Sequence, residues 1–275
     1  IVSLLVLYHA ECTDGAVAAW AVWRRYPDAE LIAVSYREPP PDVTGRDVFI
    51  VDFSYPRDTI LGMKIRAASL CVFDHHRTAA EDLQGLDFCV FDMMRSGAGI
   101  TWDVLHGAPR PWLVDYVEDR DLWRWKLPDS KMINAYLQTV PRDVAALSEA
   151  LNDGPDVARE RGLVAERVRR DYIEGAKRGA YAARIEGESH DSVGVNAGAW
   201  SNSELLGELA EAAPTGCAFA YIEHASGGYS YSLRSRKGGP DVSVIAQRFG
   251  GGGHAAAAGF RTERLVHVRL GRTPY

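Results

Sequence analysis

Short, unbroken apolar runs alternate with stretches of helical period through the first third of the chain. Residues 3–8, 30–35, 47–51, 69–73 and 88–91 read as strands buried on both faces, as in a parallel sheet. Residues 14–25 between the first two are rich in Ala and Trp at helical spacing, and Trp20 and Trp23 are expected to face the core. Pro39-Pro40-Pro41 marks a loop, and a helix is expected after Tyr55-Pro56. Strands separated by helical patterns of this length need crossover connections, which makes the fold class α/β.

From residue 96 to about 187 the pattern is mostly helical, with residues 159–184 reading as one long surface or connecting helix. Residues 186–192 are polar and contain Gly187, the expected domain boundary. Strand-like runs follow at 192–195, 217–222 and 229–233, and Gly250-Gly251-Gly252-Gly253-His254 then leads into an alanine run ending at Gly259. No repeat of solenoid period is present. The expected organisation is a parallel-sheet domain with flanking helices over residues 1–187. A helical linker joins it to a smaller mixed α/β domain over residues 188–275.

Composition narrows the class. With 275 residues, 47% apolar and 25% charged, the chain excludes disordered, collagenous and coiled-coil readings. The first apolar run is too short to span a bilayer and lacks the flanks of a signal peptide. Four cysteines without CxxC spacing suit a reducing compartment, so a cytoplasmic location is expected. The net charge of −6 is unevenly spread. Eight basic and two acidic side chains give residues 226–275 a charge of +6, leaving −12 on residues 1–225. An acidic front suits cations and a basic tail suits anions, while the negative total argues against coating of long nucleic acid.

Polar residues collect directly after the apolar strands. The first strand runs into His9, Glu11, Cys12 and Asp14, the third into Asp52, and the fourth into Asp74-His75-His76. In an open parallel sheet these positions share the crevice beyond the carboxyl ends of the strands. So many carboxylates repel one another unless cations lie among them. Mixed His and Asp without thiolate pairs points to manganese or a similar ion rather than structural zinc. Taken singly, His9 could be a loop histidine and Asp52 a helix cap; three such clusters at equivalent strand ends make a metal site the better reading.

This order resembles the DHH phosphoesterase superfamily with its DHH-associated C-terminal domain. The carrying motifs are His9 to Asp14-Gly15, Asp52, Asp74-His75-His76, Asp119-x-x-x-Trp123 and the terminal Gly250 to Gly259 segment. They span almost the whole chain. Tyr8-His9-Ala10-Glu11-Cys12-Thr13-Asp14-Gly15 and Arg120-Asp121-Leu122-Trp123 are most similar to the NrnB-type phosphodiesterases of short oligoribonucleotides and cyclic nucleotides. The resemblance implies two divalent ions, usually manganese, and a hydroxide shared between them as nucleophile. His9 would bind the first ion, Asp14 the second, and Asp52 both. His75 and Asp119 would complete the second position, with Asp115 and Asp121 as competitors for the place of Asp119. Asp74 would orient His75 or its neighbours, and His76 would contact the phosphate. Arg234, Gly251, Gly252, Gly253 and His254 would bind substrate, with Arg236 a lesser candidate.

Cys12 stands where the family usually has a further aspartate. Its thiolate could ligate and favour zinc or iron, Glu11 could reach in instead, or Cys12 could merely fill an apolar gap. The four glycines permit close approach to a ligand, and the alanines after them could start a helix whose N-terminus cradles an anion. Trp123, Trp125, Tyr229 and Tyr231 are candidates for stacking on bases.

The expected function is hydrolysis of short oligoribonucleotides or small and cyclic nucleotides. The alternatives are a RecJ-like single-strand exonuclease and a nucleotide-binding sensor with a lapsed active site. The expected partner is the nucleotide substrate, without membrane or long nucleic acid, and a homodimer is left open.

Overall fold

The structure is a computed structural model and describes residues 4–10, 12–35, 38–198 and 200–272. The first compact unit runs from Ile1 to Arg167 and the second from Val168 to Tyr275.

The first unit opens with β1 (Leu4–His9), α1 (Thr13–Arg25), β2 (Glu30–Val34), β3 (Asp47–Val51), α2 (Arg57–Arg66), β4 (Ser69–Asp74), α3 (Arg77–Asp82) and β5 (Cys89–Phe91). These strands form one wholly parallel sheet in the order β2-β1-β3-β4-β5, as the apolar runs predict; Ser3 lies outside the described residues. Both faces are covered, so alternate residues of each strand enter different cores. Leu5, Leu7, Ile50 and Val72 pack with Ile60 and Met63 of α2 on one face. On the other, Val6, Val51 and Phe73 pack with Val17 and Trp20 of α1. That second core also takes residues from α4 (Gly97–Leu105), α5 (Trp112–Asp121) and α6 (Ser130–Leu137). Trp20 is fully buried and its indole N–H donates to Ser148 Oγ at 2.9 Å, while Trp23 packs partly buried against the same core.

The element α7 (Val144–Lys177) comprises two helical segments meeting at Gly154 and Pro155. Gly154 takes φ 85°, which glycine adopts at little cost, and Pro155 opens the second segment, where its missing N–H is not needed.

The second unit contains β6 (Tyr181–Ile185), β7 (Ser192–Asn196), α8 (Asn202–Ala212), β8 (Cys217–Glu223), β9 (Tyr229–Ser235), α9 (Val242–Arg248), β10 (Gly252–His254), β11 (Ala257–Thr262) and β12 (His267–Arg272). Its mixed sheet has the order β10-β11-β9-β8-β7-β6-β12, with β7 and β8 parallel and the other pairs antiparallel. Cys217 and Phe219 of β8 pack toward Val242 and Ile245 of α9. Ala218 and Ala220 pack toward Leu205 and Leu209 of α8.

The structure departs from three expectations. The long helix ends at Lys177, because Tyr181-Ala182-Ala183-Arg184-Ile185 alternates in burial and pairs with β7 and β12. The division accordingly falls within α7, not at Gly187, which lies beyond a strand of the second sheet. The alanine run starts no helix: Ala258 and Phe260 are buried at strand spacing, and the glycines lead into a β10–β11 hairpin. Among the described residues, no helix is long and apolar enough to cross a membrane.

Candidate metal centre

The order of the first sheet reverses at β1, with β2 on one side and β3 on the other, so a crevice opens beyond their carboxyl ends. His9 ends β1, Asp52 follows β3, and Asp74 ends β4 with His75 and His76 next. Asp14 lies in the first turn of α1, and Asp121 is the last residue of α5.

Asp52 is the junction. It is 1% exposed and takes φ 53°, a strained left-handed conformation held by its surroundings. Its Oδ2 lies 3.9 Å from His9 Nδ1 and its Oδ1 lies 3.3 Å from His75 Nε2. Two sets of donors flank it, and Asp52 also groups with Asp74, His75 and His76. His9, Cys12 and Asp52 each bring one ligand atom within 4.8 Å of the others, and so do Asp14, His75 and Asp121. The Nε2 of His75 is 3.9 Å from Asp14 Oδ2 and 3.4 Å from Asp121 Oδ2. Gly97, in the first turn of α4, makes room for this packing: a Cβ there would stand 2.5 Å from Asp52 Cβ. The N–H groups of Gly97 and Ala98 donate to Asp14 at 2.6 and 3.1 Å, so the start of α4 fixes that carboxylate.

Burial, reinforced by Asp52 and Asp121, raises the Asp14 carboxyl well above the usual range. Burial also raises Asp121. Burial alone would lower His75, but Asp121, Asp52 and Asp14 outweigh it and raise the imidazole. Asp52 is kept low by its hydrogen bond to His75, against its own burial. Burial and the same three carboxylates push the Cys12 thiol well up. Oδ2 of Asp52 and Oδ2 of Asp121 are buried and accept no hydrogen bond among the described residues. Buried oxygens of this kind are costly unless a donor or cation meets them. With imidazole and thiol nearby, the donor set fits divalent metal ions.

Asp74 has a different task. Its Oδ2 accepts from Ser54 Oγ at 2.7 Å, and its Oδ1 accepts from the His75 and His76 N–H groups at 2.7 and 3.2 Å. Oδ1 also lies 2.7 Å from His76 Nδ1, so the residue that Asp74 orients is His76. Burial would lower His76, but the Asp74 carboxylate raises it.

Asp121, and not Asp119, lies with the donors Asp14 and His75. Asp119 turns into its own loop, accepting from the N–H groups of Lys126 and Leu127 and from Ser130 Oγ at 2.6 Å. Asp115 lies 3.8 Å from Arg110 Nη1 and joins neither donor set. Sequence spacing pointed to Asp119 through Trp123; the signal for Asp121 is that it is the last residue of its helix. The anchoring by Ser54 and by the start of α4 was not anticipated. Glu11 lies outside the described residues.

In the second unit, Arg234 Nη2 donates to Ser203 Oγ at 2.6 Å. Gly251 is required by close packing, since a Cβ would run into the Gly259 carbonyl, and Gly253 takes φ 136° against the Ala257 carbonyl. The glycines thus build a hairpin, not a helix N-terminus; Gly252 and His254 bound its first strand, half-buried. Tyr231 is 2% exposed within the core and is unsuited to base stacking, whereas Trp123 is 46% exposed and Trp125 crosses it edge-on at 5.0 Å.

No family model matches the sequence. An uncharacterised protein of Acanthamoeba polyphaga mimivirus is 28% identical over 285 residues, covering 93% of this chain, which spans only 66% of that relative's length. Among solved structures, the DHH domain of a member of the s1p family of ribosomal proteins matches with a TM-score of 0.62 at 12% identity, covering 94% of this chain and 82% of that one. The pGpG-specific phosphodiesterase of Vibrio cholerae matches at 0.51 and 14%, covering 95% and 93%. A manganese-bound RecJ exonuclease matches at 0.52 and 15%, covering 94% and 85%. The chain therefore has the fold of the DHH-domain proteins, with its own Asp74-His75-His76 sequence at the end of the fourth strand.

Proposed function

We propose that the chain is a metal-dependent phosphodiesterase acting on short oligoribonucleotides or on small and cyclic nucleotides. The observation that carries this reading is the position of Asp52, with one oxygen toward His9 and the other toward His75. A pair of divalent ions bound there would polarise a phosphoryl oxygen and supply a nucleophile at neutral pH. Manganese suits the oxygen-rich donors. The protein's part is to hold Asp14, Asp52, His75 and Asp121 against mutual repulsion and to aim His76. Asp74 holds the proton on Nδ1 and raises the imidazole, so the charged ring of His76 carries a second N–H, on Nε2, to donate to a phosphate oxygen. The basic stretch of residues 226–275, with Arg234 and His254, suits an anionic ligand such as a nucleotide.

The pGpG phosphodiesterase among the matched structures supports a dinucleotide-sized substrate. The RecJ match supports a second reading, a single-strand exonuclease, against which the net charge of −6 counts. A panel of dinucleotides, longer RNAs, cyclic nucleotides and single-stranded DNA, assayed with manganese, separates the two. Release of mononucleotide from the shortest substrates supports the proposal. A preference for long DNA with steep salt dependence supports the exonuclease, and inactivity on all of them supports a lapsed site.

A further inference from the structure

We propose that the two metal positions are chemically unequal: His9, Cys12 and Asp52 hold a thiophilic ion, zinc or ferrous iron, through a cysteine–metal bond, while Asp14, Asp52, His75 and Asp121 hold manganese or magnesium. This deepens the phosphodiesterase reading above and rests on its metal centre.

The grouping of donors carries the argument. One ligand atom each from His9, Cys12 and Asp52 falls within 4.8 Å of the others, and the buried Asp52 Oδ2 on that side accepts no hydrogen bond among the described residues. Cys12 is the residue before the 13-residue helix α1, which places its sulfur at the start of that helix, beside His9 and Asp52. The set is therefore one nitrogen, one sulfur and one oxygen, which zinc and ferrous iron accept and manganese disfavours. Across Asp52 the donors are three carboxylates and one imidazole, a hard set suited to manganese or magnesium. Binding at the first position releases the thiol proton to solvent and forms a sulfur–metal bond without any redox change. Cys71, Cys89 and Cys217 belong to neither donor set, so Cys12 is the sulfur that a bound ion would report.

Cobalt(II) titration of chelator-stripped protein tests this, because cobalt bound to thiolate gives a near-ultraviolet charge-transfer band. The expected result is that the band grows over one equivalent in the wild type and is absent in Cys12→Ser and Cys12→Asp, which still show visible bands of bound cobalt. With equimolar zinc and manganese, the wild type should retain one of each, while Cys12→Asp should bind manganese at the first position roughly 10-fold more tightly. Two cobalt ions bound without a sulfur band, or a band that persists in Cys12→Ser, would overturn the inequality and leave the metal centre standing. Failure to bind cobalt at all would overturn the metal centre itself, and the phosphodiesterase reading with it.

Discussion

The Nε2 of His75 lies 3.3 Å from Oδ1 of Asp52, across the carboxyl ends of two neighbouring parallel strands. Asp52 reaches this place only by taking φ 53° directly after its strand. Asn tolerates that conformation, so Asp52→Asn should keep the fold while removing the charge between the donor sets. Hydrolysis should fall at least about 100-fold and one bound ion should be lost, and the ion-free protein should lose some thermal stability because the buried His75 imidazole loses the carboxylate it pairs with. Kinetics and metal analysis of the folded variant check this.

Asp119 and Asp121 give opposite expectations. Asp121→Asn should weaken metal binding and activity with little change in stability. Asp119→Ala strips the acceptor from two backbone N–H groups and Ser130, and should cost about 1–3 kcal/mol in denaturant unfolding while metal stoichiometry is kept. A loss of metal in the Asp119 variant with none in the Asp121 variant would reverse the assignment.

Ser54→Ala removes the 2.7 Å donor that steadies Asp74, and Asp74→Asn removes the charge on His76 Nδ1. Both should lower kcat with the metals retained, the second more strongly, by about 10–100-fold. Unchanged kcat in Asp74→Asn would show that His76 needs no such alignment.

Above about pH 4 three raised groups set the response of the ion-free centre to pH, opposed by His9, whose imidazole burial lowers. The Asp14 and Asp121 carboxyls and the His75 imidazole are all raised in the folded state, which therefore binds protons more tightly than the unfolded chain. Stability of the ion-free protein falls as pH rises from about 4 through these raised values. Metal binding must displace the same protons, so affinity grows over that range and the gain in Tm on adding manganese grows with it. Melting with chelator or with manganese across acid to mildly alkaline pH measures both; a manganese shift that shrinks with rising pH contradicts the sign.

The strand ends were legible because the first sheet is buried on both faces: runs such as Leu70-Cys71-Val72-Phe73 have no polar interruption until the site begins at Asp74. His9, Asp14, Asp52 and His75 could be placed together for that reason. The half-buried strand β6 could not, because only Gly179 separates Tyr181 to Ile185 from a charged helical stretch and pairing with β7 and β12 decides its state. Asp121 was hidden likewise, since three aspartates share one short helix and the loop bonds of Asp119 are long-range facts no spacing encodes.

The central claim is that Asp52 joins two bound ions, and anomalous diffraction from crystals grown with manganese and zinc together tests it most directly. Two peaks about 3.5–4 Å apart, with Asp52 between them and His9 and His75 on opposite sides, are the predicted result. A single peak that Asp52 does not touch, or none near these residues, would contradict it.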